Sequence, residues 1–174
     1  MGRIKQFFRD LTAPARPVED GFLGEMLEAA ETELIHRLRR AELLHAIAVA
    51  RYVRDNLPPG LDPGEERAIV RAALLHDIGK TVHPVNVLQK SLVVLLPGRF
   101  REDPRLIDRW KPLAIYHHHP EYGRDIVLST QSFAQHPWLV ELIRCHHDRA
   151  AFARHWDTRE LAIFDLIQTA DDLY

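Results

Sequence analysis

The pattern of apolar and polar positions is typical of helices along almost the whole chain. From Glu25 to Asn56 no glycine or proline interrupts the sequence, and apolar residues recur at helical spacing. We expect a break near Arg37–Arg40, because an uninterrupted helix of this length is unusual in a globular protein. No stretch alternates with the period of two that predicts a strand, so the sequence predicts an all-α fold.

Cap and turn residues locate the remaining predicted helices. Asp62 is a predicted N-cap, Pro63 follows at the first helical position, and Glu65 lies three residues after the cap. Asp157 and Glu160 have the same spacing before the last predicted helix. Further helices are predicted over 85–95, 103–118, 120–128, 137–147 and 158–173. We expect these helices to pack as one bundle.

The N-terminus differs from the rest of the chain. Residues 1–20 are predicted to form an amphipathic segment and a linker, and residues 21–174 a single domain. An apolar stripe with basic flanks suits a membrane surface or a partner helix, although packing on its own domain is the favoured interpretation. The residues are Ile4, Phe7, Phe8 and Leu11, flanked by Arg3, Lys5 and Arg9. No apolar run approaches the roughly 20 residues of a transmembrane helix.

The amino-acid composition is ordinary except for its histidine content. The 174 residues are 46% hydrophobic and 28% charged, which is ordinary for a globular domain. The formal net charge of −2 gives no broad basic field, so bulk nucleic-acid binding is not expected. A single cysteine, Cys145, fits a reducing compartment, and we expect a cytoplasmic location. The eleven histidines are unusually many for this length.

Several histidines and aspartates interrupt apolar helix faces. His45, for example, shares a face with Leu38 and Val49. Burying carboxylates without partners costs several kcal/mol, and a divalent cation removes that cost. Imidazole and carboxylate suit Zn, Fe, Mn, Ni or Co. The residues in such positions are His45, His76, Asp77, His146 and Asp171. They predict a site for one or two divalent transition-metal ions between helices, with a second oxygen of Asp77 available to bridge.

Five segments, in order, carry a resemblance to a known family. They are "AELLHAIAVARYV", "AALLHDIGK", "HPEYGRDIV", "LIRCHHDR" and "LIQTADDLY". This series resembles the HD superfamily of metal-dependent phosphohydrolases in its HDIG-type form, over about residues 40 to 174. No D-G-x-G-Y-P segment follows "HHDR", so the chain does not resemble the HD-GYP branch that degrades cyclic di-GMP. The resemblance implies a helical bundle with its metal site between helices.

The resemblance also implies a role for each matching residue. A first metal site would be formed by His45, His76, Asp77 and Asp171. His119 and His146 would add a second site, with Asp77 bridging the two ions, and His147 matches a ligand of some dinuclear members. His119 aligns with the H-P-x-x-G signature, while His117 and His118 compete for that role. Lys80 would contact a phosphoryl oxygen or assist the leaving group, and Arg124 is a weaker phosphate-binding candidate.

Other ligand-type residues match no motif of the family. Surface or capping positions are expected for His36, His83, His136 and His155. Asp165 and Asp172 are expected on the polar face of the last helix. The apolar helix within 76–100 could cover the metal site as a lid or extend the core, and the core interpretation is favoured. The chain ends three residues after Asp171 and leaves no room for C-terminal substrate-binding helices, so a longer parent protein is an alternative.

The activity implied by the resemblance is hydrolysis of a small, nucleotide-like or other phosphorylated substrate by metal-activated hydroxide. Asp77 and Lys80 would be the catalytic residues. Two alternatives use the same ligands: a mixed-valent di-iron oxygenase, and a non-catalytic metal-binding regulatory module. The sequence is also compatible with a homodimer.

Overall fold

Helices form the regular structure of the computed structural model, which describes Val18 and residues 20–174. This part of the chain contains eleven α-helices, and a 3-10 turn, η1 (Ile78–Val82), follows the fourth of them. The helices are α1 (Asp20–Met26), α2 (Ala29–Ile35), α3 (Arg40–Asp55), α4 (Pro63–Leu75), α5 (Val87–Leu95), α6 (Gly98–Arg101), α7 (Pro104–Arg109), α8 (Lys111–Ser129), α9 (Pro137–Cys145), α10 (Arg149–Phe152) and α11 (Thr158–Leu173). The same residues contain no strand, which confirms the predicted all-α fold. The predicted N-terminal stripe lies outside the described residues.

The predicted break between the first long helices is confirmed, and a second break was not predicted. Helix α2 ends before Arg37, and α3 begins at Arg40. Between α1 and α2, Glu28 acts as an N-cap, and the Glu31 carboxylate accepts a hydrogen bond from the Glu28 backbone N–H at 2.9 Å. This capping box made of two glutamates starts a new helix inside a run that the periodicity predicted to be continuous.

The predicted division at residues 118–120 is wrong. Helix α8 runs from Lys111 to Ser129 straight through Pro120, and the chain breaks earlier, at Trp110. A proline inside a helix removes one backbone hydrogen bond and crowds the preceding turn. Here Pro120 is buried, and its helix packs on η1 and α9, so tertiary packing offsets the local cost.

The core lies where α3 packs on α4 and α11, with α9 closing the far side of α4. Helix α4 is buried almost all round from Ala68 to Leu75, and Arg71 is the polar exception. The Arg71 guanidinium forms an ion pair with the buried Glu31 carboxylate at 2.6 Å and donates to the Ser132 carbonyl. A core helix can carry this cation because its charge is paired and its donors are satisfied.

The predicted N-caps are confirmed, but one partner differs. The Asp62 carboxylate accepts from the backbone of Gly64 and Glu65, and Asp157 accepts from the Arg159 backbone. The Glu65 side chain pairs with the Arg159 guanidinium instead of returning to its own helix end. This ion pair ties the start of α4 to the start of α11.

Helix α5 does not extend the core, so the favoured interpretation of this segment is wrong. Among its residues only Val93 is buried, and Val93 does not belong to the main core cluster. Leu88 and Leu95 remain 78% and 76% exposed. Helix α5 packs on α8 instead. Among the described helices, none combines the length and the apolar character needed to cross a membrane.

Candidate metal centre

The turn after α4 presents the His-Asp pair at the edge of the core. His76 caps the C-terminus of α4, and Asp77 precedes η1, so both side chains lie where the helix ends. Both are almost completely buried, with exposed fractions of 1% and 2%. The apolar face of α4 therefore delivers an imidazole and a carboxylate to the interior without placing them in the middle of the core.

Two glycines allow this turn to touch α8. A Cβ atom on Gly79 would lie 1.9 Å from the His119 carbonyl oxygen and 2.6 Å from the Gly123 backbone nitrogen. A side chain at position 79 would therefore clash with backbone, which cannot move aside as a flexible side chain could. A Cβ atom added to Gly123 would in turn lie 3.5 Å from the Gly79 backbone nitrogen. The close approach brings Asp77 beside His119.

The predicted ligand residues converge in space as two groups. His45, His76 and Asp171 form one group, and His119, His146 and His147 form the other. Within each group, the potential ligand atoms lie within 4.8 Å of one another. Each group can therefore hold a metal ion.

Asp77 lies between the two groups. Its Oδ1 atom is 3.3 Å from Nε2 of His119, and its Oδ2 atom is 3.5 Å from Nε2 of His76. The Lys80 ammonium also donates a hydrogen bond to Oδ2 of Asp77, at 2.5 Å. The carboxylate therefore reaches both groups at once.

Backbone carbonyls orient three of the imidazoles. The Nδ1 atoms of His76, His119 and His146 lie 2.8, 3.0 and 2.7 Å from carbonyl oxygens three or four residues earlier in the chain. With Nδ1–H donating to a carbonyl, the Nε2 lone pair of each ring points towards the other ligand-type residues. This arrangement commonly accompanies histidines that ligate metals.

Two buried polar atoms support a metal in this centre. Nε2 of His76 and Oδ1 of Asp77 are fully buried and have no hydrogen-bond partner among the described residues. Leaving such atoms without a partner costs free energy, about 1–3 kcal/mol each and more when the group is charged. Both atoms are of the types that bind divalent transition metals, so the residues present fit a metal ion.

Charges inside the centre are strongly coupled. Burial opposes protonation of His76, but the Asp77 and Asp171 carboxylates outweigh it and raise the pKa of His76 to about 9. Burial alone would raise the pKa of Asp171, but its hydrogen bond with His45 and the charge of the nearby His76 imidazole hold it well below the ordinary value. Burial would likewise raise the pKa of Asp77, but Lys80 and His76 lower it. Both carboxylates are therefore ionised at neutral pH.

Three further imidazoles of the centre, those of His45, His146 and His147, are held neutral. Burial lowers the pKa of His45 and, together with the neighbouring imidazoles, holds the pKa of His146 well below its ordinary range. Burial and the His119 ring lower the pKa of His147 to about 4. A metal ion can bind only neutral imidazole, so these three ligands need to lose no proton at neutral pH.

Metal binding should therefore release the His76 proton at about pH 7.5, and ionisation of coordinated water would add to this release. His76 is charged in the metal-free protein because its pKa is about 9, whereas the pKa values of His45, His146 and His147 are lowered. The released proton is measured with a pH indicator while metal is added to weakly buffered metal-free protein.

The contribution of His76 to the release should disappear as the pH rises through 9, because His76 is then already neutral before the ion arrives. Matched titrations at pH values above and below 9 provide the comparison. Release of no proton at about pH 7.5 would contradict the assignment of the charge to His76.

The two groups open onto a cavity of about 670 Å³. Its metal-centre side is formed by His45, Asp77, His119, His147 and Asp171. The facing side comes from the segment around α5 and from α8, and it is largely apolar. That side includes Val85, Val93, Val94, Pro112, Ile115 and Tyr116. Positive charge is supplied by Lys80, Lys90, Arg101 and Arg144.

Several lining residues were not predicted from the sequence. Glu42 precedes His45 by three residues, so helical periodicity alone could have placed it on the same face. It is buried beside the cavity, and its carboxylate contributes to raising the pKa of Lys80. Lys90, Arg101 and Tyr116 belong to no motif, and no sequence signal identified them.

Other predicted residues fall outside the centre. Arg124 does not line the cavity, and its guanidinium lies 3.3 Å from the exposed Asp125 carboxylate, so we do not include it in the site. His117 lies near the Arg101 carbonyl and lines the cavity, while His118 is exposed. Asp165 pairs with Arg149 on the surface. The four histidines without a motif are at helix caps or exposed, as predicted: His36, His83, His136 and His155.

Fold and site together define an all-α protein with two adjacent groups of residues able to hold divalent metal. A family model described as HD domain matches residues 33–170. The chain therefore belongs to the HD domain family, whose members are generally metal-dependent hydrolases. No curated protein and no solved structure showed significant similarity to the chain.

Proposed function

We propose that this protein is a metal-dependent phosphohydrolase or phosphodiesterase acting on a small phosphorylated substrate. The observation that carries the proposal is the position of Asp77. Its buried carboxylate, whose Oδ1 has no hydrogen-bond partner among the described residues, lies between two ligand groups and beside a cavity whose lining includes four basic side chains. A structural metal site would need neither the second group of ligands nor the cavity.

The proposed centre holds two ions. His45, His76 and Asp171 would hold one, His119, His146 and His147 the other, and Asp77 would bridge them. Fe, Mn, Ni, Zn and Co all suit this set of ligands. When bound, such ions lower the pKa of coordinated water and neutralise phosphoryl oxygens.

Lys80 would bind the phosphoryl group of the substrate. Its side chain is partly exposed to the cavity, and its ammonium contacts the Asp77 carboxylate at 2.5 Å. Burial alone would lower the pKa of Lys80, but Asp77 and Glu42 raise it, so the ammonium keeps its charge at neutral pH. A fixed positive charge at this position can stabilise the negative charge that develops on the phosphoryl oxygens.

The walls of the cavity favour an organic phosphate over inorganic polyphosphate. A volume of about 670 Å³ is within the range of sites for small molecules. Val93, Val94 and Ile115 offer apolar surface to the organic part of the substrate, and Tyr116 can stack on a ring. A nucleotide-like compound combines these features.

The proposal is tested with metal-free protein reconstituted separately with Mn, Fe, Ni, Zn and Co. Each form is assayed against p-nitrophenyl phosphate, bis-p-nitrophenyl phosphate and a panel of nucleotides, and its metal content is measured. We expect hydrolysis in at least one metal form and none after chelation. Inactivity of fully metallated protein on the whole panel would contradict the proposal. A low-field paramagnetic signal of an Fe(II)/Fe(III) pair in such inactive protein would instead favour an oxygenase.

The Lys80→Met variant should lose about 100-fold or more in kcat/KM while retaining its metal. The reason is that Lys80 would act on the phosphoryl group and is not a metal ligand. Lys111→Met is the matched control, because Lys111 is an exposed lysine outside the cavity lining. Steady-state kinetics and elemental analysis are measured on the same preparations. Loss of metal together with activity would show that Lys80 only supports Asp77.

A further inference from the structure

Charge is distributed unevenly over the lining of the cavity. Every acidic lining residue is a ligand-type residue of the metal centre or lies within three positions of one in the sequence: Glu42, Asp77, Glu121, Asp148, Asp171 and Asp172. The facing side includes Lys90 and Arg101, and the segment from Ile78 to Arg101 contains no aspartate or glutamate. An anionic part of a ligand that extends beyond the metal centre is therefore favoured at this facing side.

Arg101 differs from the other basic residues of the lining. Each of the other three has an anionic neighbour, and these pairs are Lys80 with Asp77, Arg144 with Glu141, and Lys90 with the buried Glu42. Arg101 forms no ion pair with a described residue. Arginine does not deprotonate in proteins, so this charge has no counter-ion until a ligand or a solvent ion supplies one.

Two contacts with α8 hold Arg101 on the cavity wall. Its guanidinium carbon lies 5.9 Å from the centre of the Tyr116 ring, which is a cation–π contact. Nε2 of His117 donates to the Arg101 carbonyl oxygen at 2.8 Å and attaches the end of α6 to α8. Tyr116 and His117 belong to the turn of α8 that precedes His119. Arg101 is therefore held close to the second ligand group, and a guanidinium fixed in this way loses little conformational entropy when it binds an anion.

We propose that Arg101 binds a second phosphate group of the substrate, while the metal centre and Lys80 act on the first. A guanidinium can donate two parallel hydrogen bonds to phosphate oxygens, which a lysine cannot do. Tyr116 and the apolar side chains beside it would contact the organic part of the substrate. The substrate class is thereby narrowed to nucleotide-like compounds with two phosphate groups. This inference rests on the proposed function for the identity of the reacting phosphate, but binding at Arg101 needs no turnover.

The first measurement is calorimetric binding of AMP, ADP and adenosine 3′,5′-bisphosphate. It uses the reconstituted metal form that hydrolyses these compounds most slowly. ADP carries its second phosphate next to the first, whereas the bisphosphate carries it on the other side of the ribose. We expect at least one of these two compounds to bind about tenfold or more tightly than AMP, because a hydrogen bond to a charged group contributes about that much.

The Arg101→Met variant should lose this gain in affinity, and Arg101→Lys, which keeps the charge, should retain part of it. Arg99→Met is the matched control, because Arg99 lies on the same helix, over the Phe100 ring, and outside the cavity lining. It should keep the whole gain. Thermal melts verify that all variants are folded.

Kinetics provide a second measurement if the compounds are hydrolysed. The ratio of kcat/KM for the preferred two-phosphate compound to kcat/KM for AMP should fall about tenfold or more in Arg101→Met. The same ratio should be unchanged in Arg99→Met.

Three outcomes would overturn the proposal. The first is equal affinity of the unmodified protein for AMP, ADP and the bisphosphate. The second is a gain in affinity that Arg101→Met leaves intact or that Arg99→Met removes equally. The third is a loss that Arg101→Lys does not relieve at all, which would assign the effect to packing on Tyr116. A gain that depends on Arg101 in protein that hydrolyses nothing would support the second phosphate site and contradict only the phosphohydrolase proposal.

Discussion

Asp77→Asn should abolish binding of a pair of metal ions and nearly all hydrolytic activity. The substitution keeps the size of the side chain but removes its charge and one acceptor oxygen. Asp77 is the residue whose two oxygens face both ligand groups, at 3.3 Å from His119 and 3.5 Å from His76. The loss in kcat/KM should exceed the roughly 10- to 100-fold cost of mutating residues that only support a metal ligand.

The measurements are the metal-to-protein ratio by elemental analysis and kcat/KM on the best substrate of the panel. Asp165→Asn is the control, because Asp165 is a carboxylate of α11 that pairs with Arg149 on the surface. It should leave both quantities unchanged. Full metal content and activity in Asp77→Asn would refute the bridging role.

Asp77→Asn should also change the proton release that accompanies metal binding. Asp77 and Asp171 are the groups that raise the pKa of His76 to about 9. Without the Asp77 charge, burial of the imidazole lowers the pKa of His76 from this value. Less proton should then be released at about pH 7.5, provided that some metal still binds.

Gly79→Ala should destabilise the metal-free protein by about 3 kcal/mol, at the upper end of the cost of overpacking. The new Cβ would lie 1.9 Å from the His119 carbonyl oxygen, so η1 and α8 must separate. Separation would move Asp77 away from His119, and metal content should fall as well. Urea denaturation measures the free energy of unfolding, and elemental analysis measures the metal.

The control for this variant is Gly24→Ala. A Cβ at Gly24, an exposed position within α1, would meet nothing within 4 Å. Alanine in a helix should therefore stabilise the protein by about 0.5 to 1 kcal/mol. If Gly79→Ala changed the free energy of unfolding as little as Gly24→Ala does, η1 and α8 could separate at little cost. That result would contradict a tight contact at Gly79.

Helical periodicity predicted the structure correctly where the local sequence signals and the observed burial agree. The caps at Asp62 and Asp157 and the break before Arg40 were predictable because each depends on a few neighbouring residues. The same periodicity placed His45 and Asp171 on inward faces. Their hydrogen bond, 2.9 Å between Nε2 and Oδ1, joins residues that are 126 positions apart.

Periodicity failed where packing decides against local preference. Pro120 predicts a helix boundary, yet α8 continues through it because the proline is buried in the contact with neighbouring elements. The apolar stretch of α5 was predicted to join the core, yet its leucines face outwards. Arg124 follows a motif glycine but does not line the cavity. The rotation of α8 about its own axis decides which of its residues face the cavity, and the motif does not specify that rotation.

The sequence by itself determined the all-α class, most helices, the family resemblance and the set of residues that could bind metal. These follow from local periodicity and from residue types in order. Only the tertiary structure decided that His119, rather than His117 or His118, approaches Asp77, and that α5 forms a wall of the cavity with an apolar outer face. The reason is that both depend on how separate helices pack, above all on the contact of η1 with the α8 backbone at Gly79.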